Sequence, residues 1–212
     1  MNTANIESIL IENRQFEADK SFKDSARIKD RAQLDLLHKR ASDDYEGFWA
    51  ELALQEISWQ SPFTQTLDSD NAPHYRWFYD GSLNVSYNCI DRHLESKADK
   101  TAIIFEGEQG DVVHITFQQL HDRVCQLANG LSNLGIKKGE RVIIYMPMVA
   151  EAAIAMLACA RIGAIHCVVF GGFSAESLKD RSEDAGATAI ITADGGHRGG
   201  KIIELKAAVD KA

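Results

Sequence analysis

Two glycine-rich stretches carry the residues of this 212-residue chain that could do chemistry. The more pointed one is Thr192-Ala193-Asp194-Gly195-Gly196-His197-Arg198-Gly199-Gly200-Lys201, which follows the apolar run at residues 188–192. Its glycines allow a ligand close to the backbone, and two permanent cations flank the last glycine pair. Arg198 offers a planar, bidentate fork and Lys201 a point charge, the two ways in which side chains neutralise phosphate. The composition suggests a flexible phosphate-binding loop; the plainer reading is a solvated loop. The other stretch is Phe170-Gly171-Gly172-Phe173-Ser174. Ser174 opens a helical pattern whose first amides could face an anion, and the plainer reading is a tight strand-to-helix turn.

Other chemistries find less support. Residues 195–201 fit GxxxxGK, the opening of a nucleotide phosphate loop, but Ile202 stands where magnesium coordination needs Ser or Thr. That stretch also follows a late strand rather than opening the sheet, which disfavours a phosphate-loop nucleotidase. The seven histidines are dispersed, with no HxxxH or HExxH, so no metal ligand is assigned. There is no GxSxG, and no nucleophile–base pair follows from spacing, so no catalytic residue is assigned either. Cys89, Cys125, Cys159 and Cys167 lack CxxC spacing and read as reduced thiols of a cytoplasmic protein. A net charge of −8 argues against nonspecific nucleic-acid binding. The opening MNTANIESILIENR has no basic stretch followed by an apolar core, and the apolar segment at residues 150–162 is too short for a bilayer. A secretory leader and a membrane partner are therefore not expected.

The elements that must position the two glycine stretches lie between residues 101 and 192. The run Val142, Ile143, Ile144, Tyr145 and the run Ile165, Val168, Val169, Phe170 are short and apolar, as buried parallel strands are. Between them residues 150–162 are helix-length and rich in Ala, with Gly163 as the break. This predicts a strand–helix–strand crossover, with a helix over 174–185 and a further strand at 188–192 extending the sheet. Chemistry should sit on the loops leaving the strand ends. TAIIFEGEQGDVVHITF predicts a hairpin, and Thr116 with Gln119 a capping box opening the next helix. Leu120, Val124, Leu127, Ala128 and Leu131 share one face of that helix, and Gly135 with Lys137 and Lys138 reads as its stop and basic last turn. Residues 1–57 read as mostly helical and 58–74 as a loop or linker. A turn is expected at Asp80-Gly81, and a helix entered through Asn88-Cys89-Ile90-Asp91. Trp77, Phe78 and Tyr79 read as packing residues.

Three longer stretches resemble the N-terminal part of the acetyl-CoA synthetase family, the AMP-forming ligases of the adenylating superfamily. They are WFYDGSLNVSYNCIDRHL (77–94), LGIKKGERVIIYMPMVAEAAIAMLACARIGAIHCVVFGGFSAESLKDR (134–181) and ITADGGHRGGKIIELK (191–206). The likeness runs from about residue 40 to the C-terminus and is less clear before it. It implies an α/β fold: a mostly helical N-terminal extension, residues 1–92, packed on the beginning of the AMP-binding large domain, residues 93–212. The sheet should be partly parallel, with flanking helices. The implied reaction joins acetate to CoA with ATP, through acetyl-adenylate; propionate–CoA ligase and a non-catalytic CoA- or nucleotide-binding module are the alternatives. The implied partners are the small molecules acetate, ATP and CoA, with Mg2+ serving the whole enzyme, in the cytoplasm. Carried onto this sequence, the CoA-contact loop falls on Arg198, Gly199, Gly200 and Lys201, with the cations on the ribose 3′-phosphate. Gly172 matches the glycine passed by the pantetheine arm. Lys201, often Arg in the family, keeps the charge and loses the bidentate fork. The family's Ser/Thr/Gly-rich phosphate loop, magnesium and ribose motifs and C-terminal lysine would lie beyond residue 212. The chain is thus expected to be an N-terminal part that cannot adenylate acetate alone.

Overall fold

The computed structural model describes Arg14 and residues 16–212. The expected helicity of residues 1–13 and 15 lies outside the described residues. The chain divides into two compact units, one ending at Gln55 and the other Glu56–Ala212.

The first unit is helical where it is described. Helices α1 (Lys20–Ser25), α2 (Arg31–Asp43) and α3 (Tyr45–Glu56) follow one another. Each start is marked by an aspartate that satisfies a free first-turn amide. Asp19 accepts from the Ser21 amide, Asp30 from that of Gln33, and Asp44 from that of Gly47 at 3.0 Å.

The second unit opens with small antiparallel pieces. The segment expected to be a loop holds β1 (Leu67–Asp68), which pairs with β2 (Arg76–Trp77). Trp59, Phe63 and Phe78 pack ring against ring with centroids 4.6 to 5.8 Å apart, Trp77 touches Phe78, and the Arg76 guanidinium lies over the Tyr79 ring at 4.4 Å, so the three aromatics read as packing residues make ring contacts, within residues 59–79. The next helix starts earlier than expected. Asn84 accepts from the Tyr87 amide and caps α4 (Val85–Cys89); a 3-10 turn (Asp91–His93) and the short α5 (Leu94–Lys97) follow. Strands β3 (Thr101–Glu106) and β4 (Val112–Thr116) form the expected hairpin. Thr116 and Gln119 form the capping box of α6 (Phe117–Asn133), which buries Leu120, Val124, Ala128 and Leu131. Lys137 and Lys138 are not in its last turn as expected: the helix stops at Asn133, and Leu134 and Gly135 intervene.

The parallel core follows as the spacing predicts. It runs through β5 (Arg141–Met146), α7 (Ala150–Ile162), β6 (Ile165–Phe170), α8 (Ala175–Ala185) and β7 (Ala189–Thr192). Left-handed glycines end both helices, Gly163 at φ 74° and Gly186 at φ 57°, a conformation in which a Cβ is disfavoured. Strands β6 and β7 flank β5, both parallel to it, with Ile144 opposite Val168 on one side and Ile191 on the other. Alternation then assigns the faces. Val142 joins the core that α6 and α7 cover, while Ile143 and Tyr145 join a second core with Leu178 and Leu205. The chain closes with β8 (Gly195–Arg198), β9 (Lys201–Glu204) and α9 (Leu205–Lys211). The fold is α/β as expected, but the sheet is not partly parallel: β5, β6 and β7 form a wholly parallel sheet with flanking helices, and the antiparallel pairs β1–β2, β3–β4 and β8–β9 stand as separate two-stranded sheets.

Ile143 is fully buried, so Ile143→Ala is expected to cost about 2–5 kcal/mol. Thr116→Ala, which removes the capping hydroxyl, should cost about 1 kcal/mol. Urea unfolding of the two variants checks both the size and the ranking.

Candidate functional site

The three parallel strands end on one edge, where Met146 lies opposite Phe170 and Tyr145 opposite Thr192. The loops leaving that edge build the site, as is usual for parallel sheets. Tyr145 ties the core to the first glycine loop: its hydroxyl donates to the Phe173 carbonyl at 2.8 Å. Burial pushes the Tyr145 pKa up, so this hydroxyl stays a neutral donor. Ser174 accepts from the Ser177 amide and opens α8. The helix's own side chain thereby satisfies an amide that an anion could have used.

The second glycine stretch is not the flexible loop that its composition suggested. It is a paired antiparallel hairpin, β8 with β9, in register Arg198 to Lys201. Gly199 and Gly200 make its two-residue turn with φ of 58° and 72°. Positive φ at both central residues marks a type I′ turn, one of the two primed turns whose twist matches that of the flanking strands. The match to GxxxxGK therefore has no structural counterpart. Lys201 begins a strand, whereas a phosphate loop delivers its lysine at a helix N-terminus.

The hairpin packs back on the strand ends. A Cβ added to Gly196 would stand 2.5 Å from the Pro147 side chain. One added to Gly172 would stand 2.6 Å from Arg198 Nη1 and 2.7 Å from the Phe170 ring. The Arg198 guanidinium lies over Phe170, 4.9 Å from the ring centroid, a cation–π contact. Of the residues singled out in the sequence, Gly172 and Arg198 are thus in contact. Gly199 and Gly200 form the turn beside them, and Lys201 stands across that turn, exposed. Among the described residues neither Arg198 nor Lys201 has a carboxylate ion-pair partner. A cleft of about 350 Å3 runs beside Arg198, lined by Met146, Pro147, Phe170, Gly171 and Glu108 among others.

Sequence reasoning missed two participants, Pro147 and Glu108, and it named Phe170 at the head of the first glycine stretch without giving its ring a role. Glu108 Oε1 accepts from the Gly200 amide at 2.6 Å, and Gln109 beside it meets the His197 ring at 3.3 Å. Glu108 and Gly200 are 92 positions apart, and a hairpin tip carries no local signal of where it docks. Among the described residues no group of three His, Cys, Asp or Glu is placed to hold a metal, and no helix is long and apolar enough to cross a membrane.

Two family models match the chain. The model of AMP-binding enzymes covers residues 90–212, and that of the acetyl-coenzyme A synthetase N-terminus covers residues 34–89. The chain belongs to the AMP-binding enzyme family. It is 59% identical over 209 residues to the acetyl-coenzyme A synthetase of Thiobacillus denitrificans and 58% identical over 209 residues to that of Methylobacillus flagellatus. Each alignment takes in 99% of this chain and 32% of the relative, so the chain spans about a third of the length of the curated relatives it matches. The fold is similar to that of acetoacetyl-CoA synthetase from Streptomyces lividans. The TM-score is 0.80 at 25% identity, over 91% of this chain and 32% of that one.

Two glycine substitutions test this geometry. Gly172→Ala should push Arg198 off the Phe170 ring, which NMR reads as loss of the ring-current shift on the arginine side chain. Gly200→Ala meets no atom within 4 Å yet holds a positive φ, so the strain alone should weaken the β8–β9 hairpin by about 1 kcal/mol. Faster amide exchange confined to residues 195–204 is the expected readout.

Proposed function

We propose that this chain is the N-terminal part of an AMP-forming acetate–CoA ligase and carries the site for the 3′-phosphate of CoA. The observation that carries the reading is the contact of Arg198 with Gly172 at the strand ends, with Lys201 across the Gly199-Gly200 turn and neither cation ion-paired among the described residues. The high identity to proteins named acetyl-coenzyme A synthetase supports acetate over propionate as the acyl donor.

In the proposed reaction a carboxylate oxygen of acetate attacks the α-phosphorus of ATP. The new P–O bond forms as the bond to pyrophosphate breaks, giving acetyl-adenylate. The CoA thiolate then attacks the acyl carbon and AMP leaves. This chain's residues act on CoA in that scheme. Arg198 forks onto the 3′-phosphate, Lys201 adds a point charge, and the Gly199-Gly200 turn keeps side chains out of the way. Gly172 lets the pantetheine arm pass close to the backbone. The groups for ATP and Mg2+ are assigned outside these 212 residues, as the family likeness implies. The boundary between a helical extension and the AMP-binding domain is placed at residues 92 and 93, a reading supported by the change from one family match to the other near residue 90. Four unpaired thiols support a reducing, cytoplasmic setting.

Calorimetric titration of the chain with CoA and 3′-dephospho-CoA tests the site. CoA should bind tighter, and Arg198→Ala should cost it about 1–3 kcal/mol while leaving the dephospho form unchanged. Equal affinities for the two ligands, or a mutant indifferent to the 3′-phosphate, would refute the assignment. The chain alone should make no AMP from ATP, acetate and CoA; measurable AMP would show that the catalytic groups are already within it.

A further inference from the structure

The tip of the β3–β4 hairpin leans on the glycine hairpin. The tip is closed by its own bonds, Gly107 N–H to the Asp111 carbonyl at 2.8 Å and Gly110 N–H to the Gly107 carbonyl at 2.9 Å. Two side chains reach from it. Glu108 accepts from the Gly200 amide, and Gln109 meets His197. Glu108 also lines the cleft that Arg198 and Phe170 line. Its carboxylate therefore lies on the turn amide that sits in sequence between Arg198 and Lys201, two cations with no carboxylate partner among the described residues. It does there what an oxygen of a bound phosphate would do: accept from the amide, beside positive charge.

We propose that Glu108 is an internal occupant of this anion site and sets its affinity for phosphate. The proposal rests on the reading of the hairpin as a phosphate site. An arriving phosphate dianion either displaces the carboxylate from the Gly200 amide or stays beside it. Displacement breaks a charge-assisted hydrogen bond, and coexistence places like charges within a few ångströms. Both oppose binding, so Glu108 weakens the site and restricts it to anions charged enough to compete. The tip does not need Glu108 to hold its shape, because its closing bonds are backbone to backbone. The role of the side chain is toward the turn.

Glu108→Gln keeps the size and the acceptor and removes the charge. In this chain it should tighten CoA about three- to tenfold at low ionic strength, since exposed like charges at close range are worth that order. The gain should shrink at high salt, where such charges are screened. Binding of 3′-dephospho-CoA should not change. Glu108→Ala removes the acceptor too and should tighten CoA at least as much; a purely structural clasp would weaken binding in both variants. Unchanged or weaker CoA binding in both overturns the proposal. A separate probe covers failure of the CoA reading itself, which would appear as wild-type protein that does not distinguish CoA from its dephospho form. Inorganic pyrophosphate is then titrated while the Gly200 amide resonance is followed. A lower midpoint in Glu108→Gln than in wild type supports the internal occupant. Equal midpoints, or no response in either protein, overturn it.

Discussion

Removal of strand β5 from water on both faces is the constraint on which the rest of the second unit depends. Val142, Ile143, Ile144 and Tyr145 are all buried. Each such side chain contributes about 1.5–3 kcal/mol on transfer from water. A strand can hide four consecutive residues only if helices cover both sides of its sheet and a neighbour lies on each edge. Both needs are met: α6 and α7 cover one face, Leu178 and Leu205 the other, and β6 and β7 pair on either edge. Because both neighbours are parallel, all three strands end together. The loops that carry the glycines have no other place to be.

Tyr145 links this burial to the site. Its ring belongs to the second core, and its hydroxyl holds the Phe173 carbonyl. The glycine loop is thereby fixed to the sheet rather than left to its own turn preferences. Phe170, at the end of β6, then offers its ring to Arg198, and Gly172 leaves room for the guanidinium. A cation held over an aromatic face, with no carboxylate ion-paired to it among the described residues, is available to a ligand at little cost in reordering. Glu106 and Glu108 both line the cleft, and the Glu108 carboxylate is bonded to an amide and not to a cation.

Residues 56–92 are joined to the sheet region by polar ties as well as by packing. The Asn84 side chain donates to the Arg161 carbonyl at 2.9 Å, and Arg161 pairs with Asp91. Within the segment, Asn88 exchanges bonds with Ser58 and Arg92 donates to the Glu56 carbonyl, which fastens its start to the helical part that Arg161 holds. Charge pairs shielded at the end of a buried helix cost desolvation and add specificity of position more than stability. These ties explain why the second compact unit begins at Glu56, well before the AMP-binding match at residue 90.

Local pattern alone determined the parallel core. Two β-branched runs, an Ala-rich stretch of helical length and glycine stops leave the backbone few alternatives, since burial, period and turn conformation agree. The capping box at Thr116 was legible for the same reason: its partners are three residues apart. The start of α4 was not, because Asn84 as a cap competes with several polar neighbours in the same stretch. At the site, residue types pointed to Arg198, Lys201 and their glycines, and those types are what a phosphate needs. The form of that stretch was misjudged, because glycine content signals freedom, whereas paired strands turned Gly199 and Gly200 into a fixed turn. Only the tertiary structure set Arg198 on Phe170 and across Gly172, and only it brought Glu108 to the Gly200 amide. Such contacts join side chains tens of residues apart. Their geometry is decided by how the buried strand stacks its neighbours, a cooperative property that no short window of sequence contains.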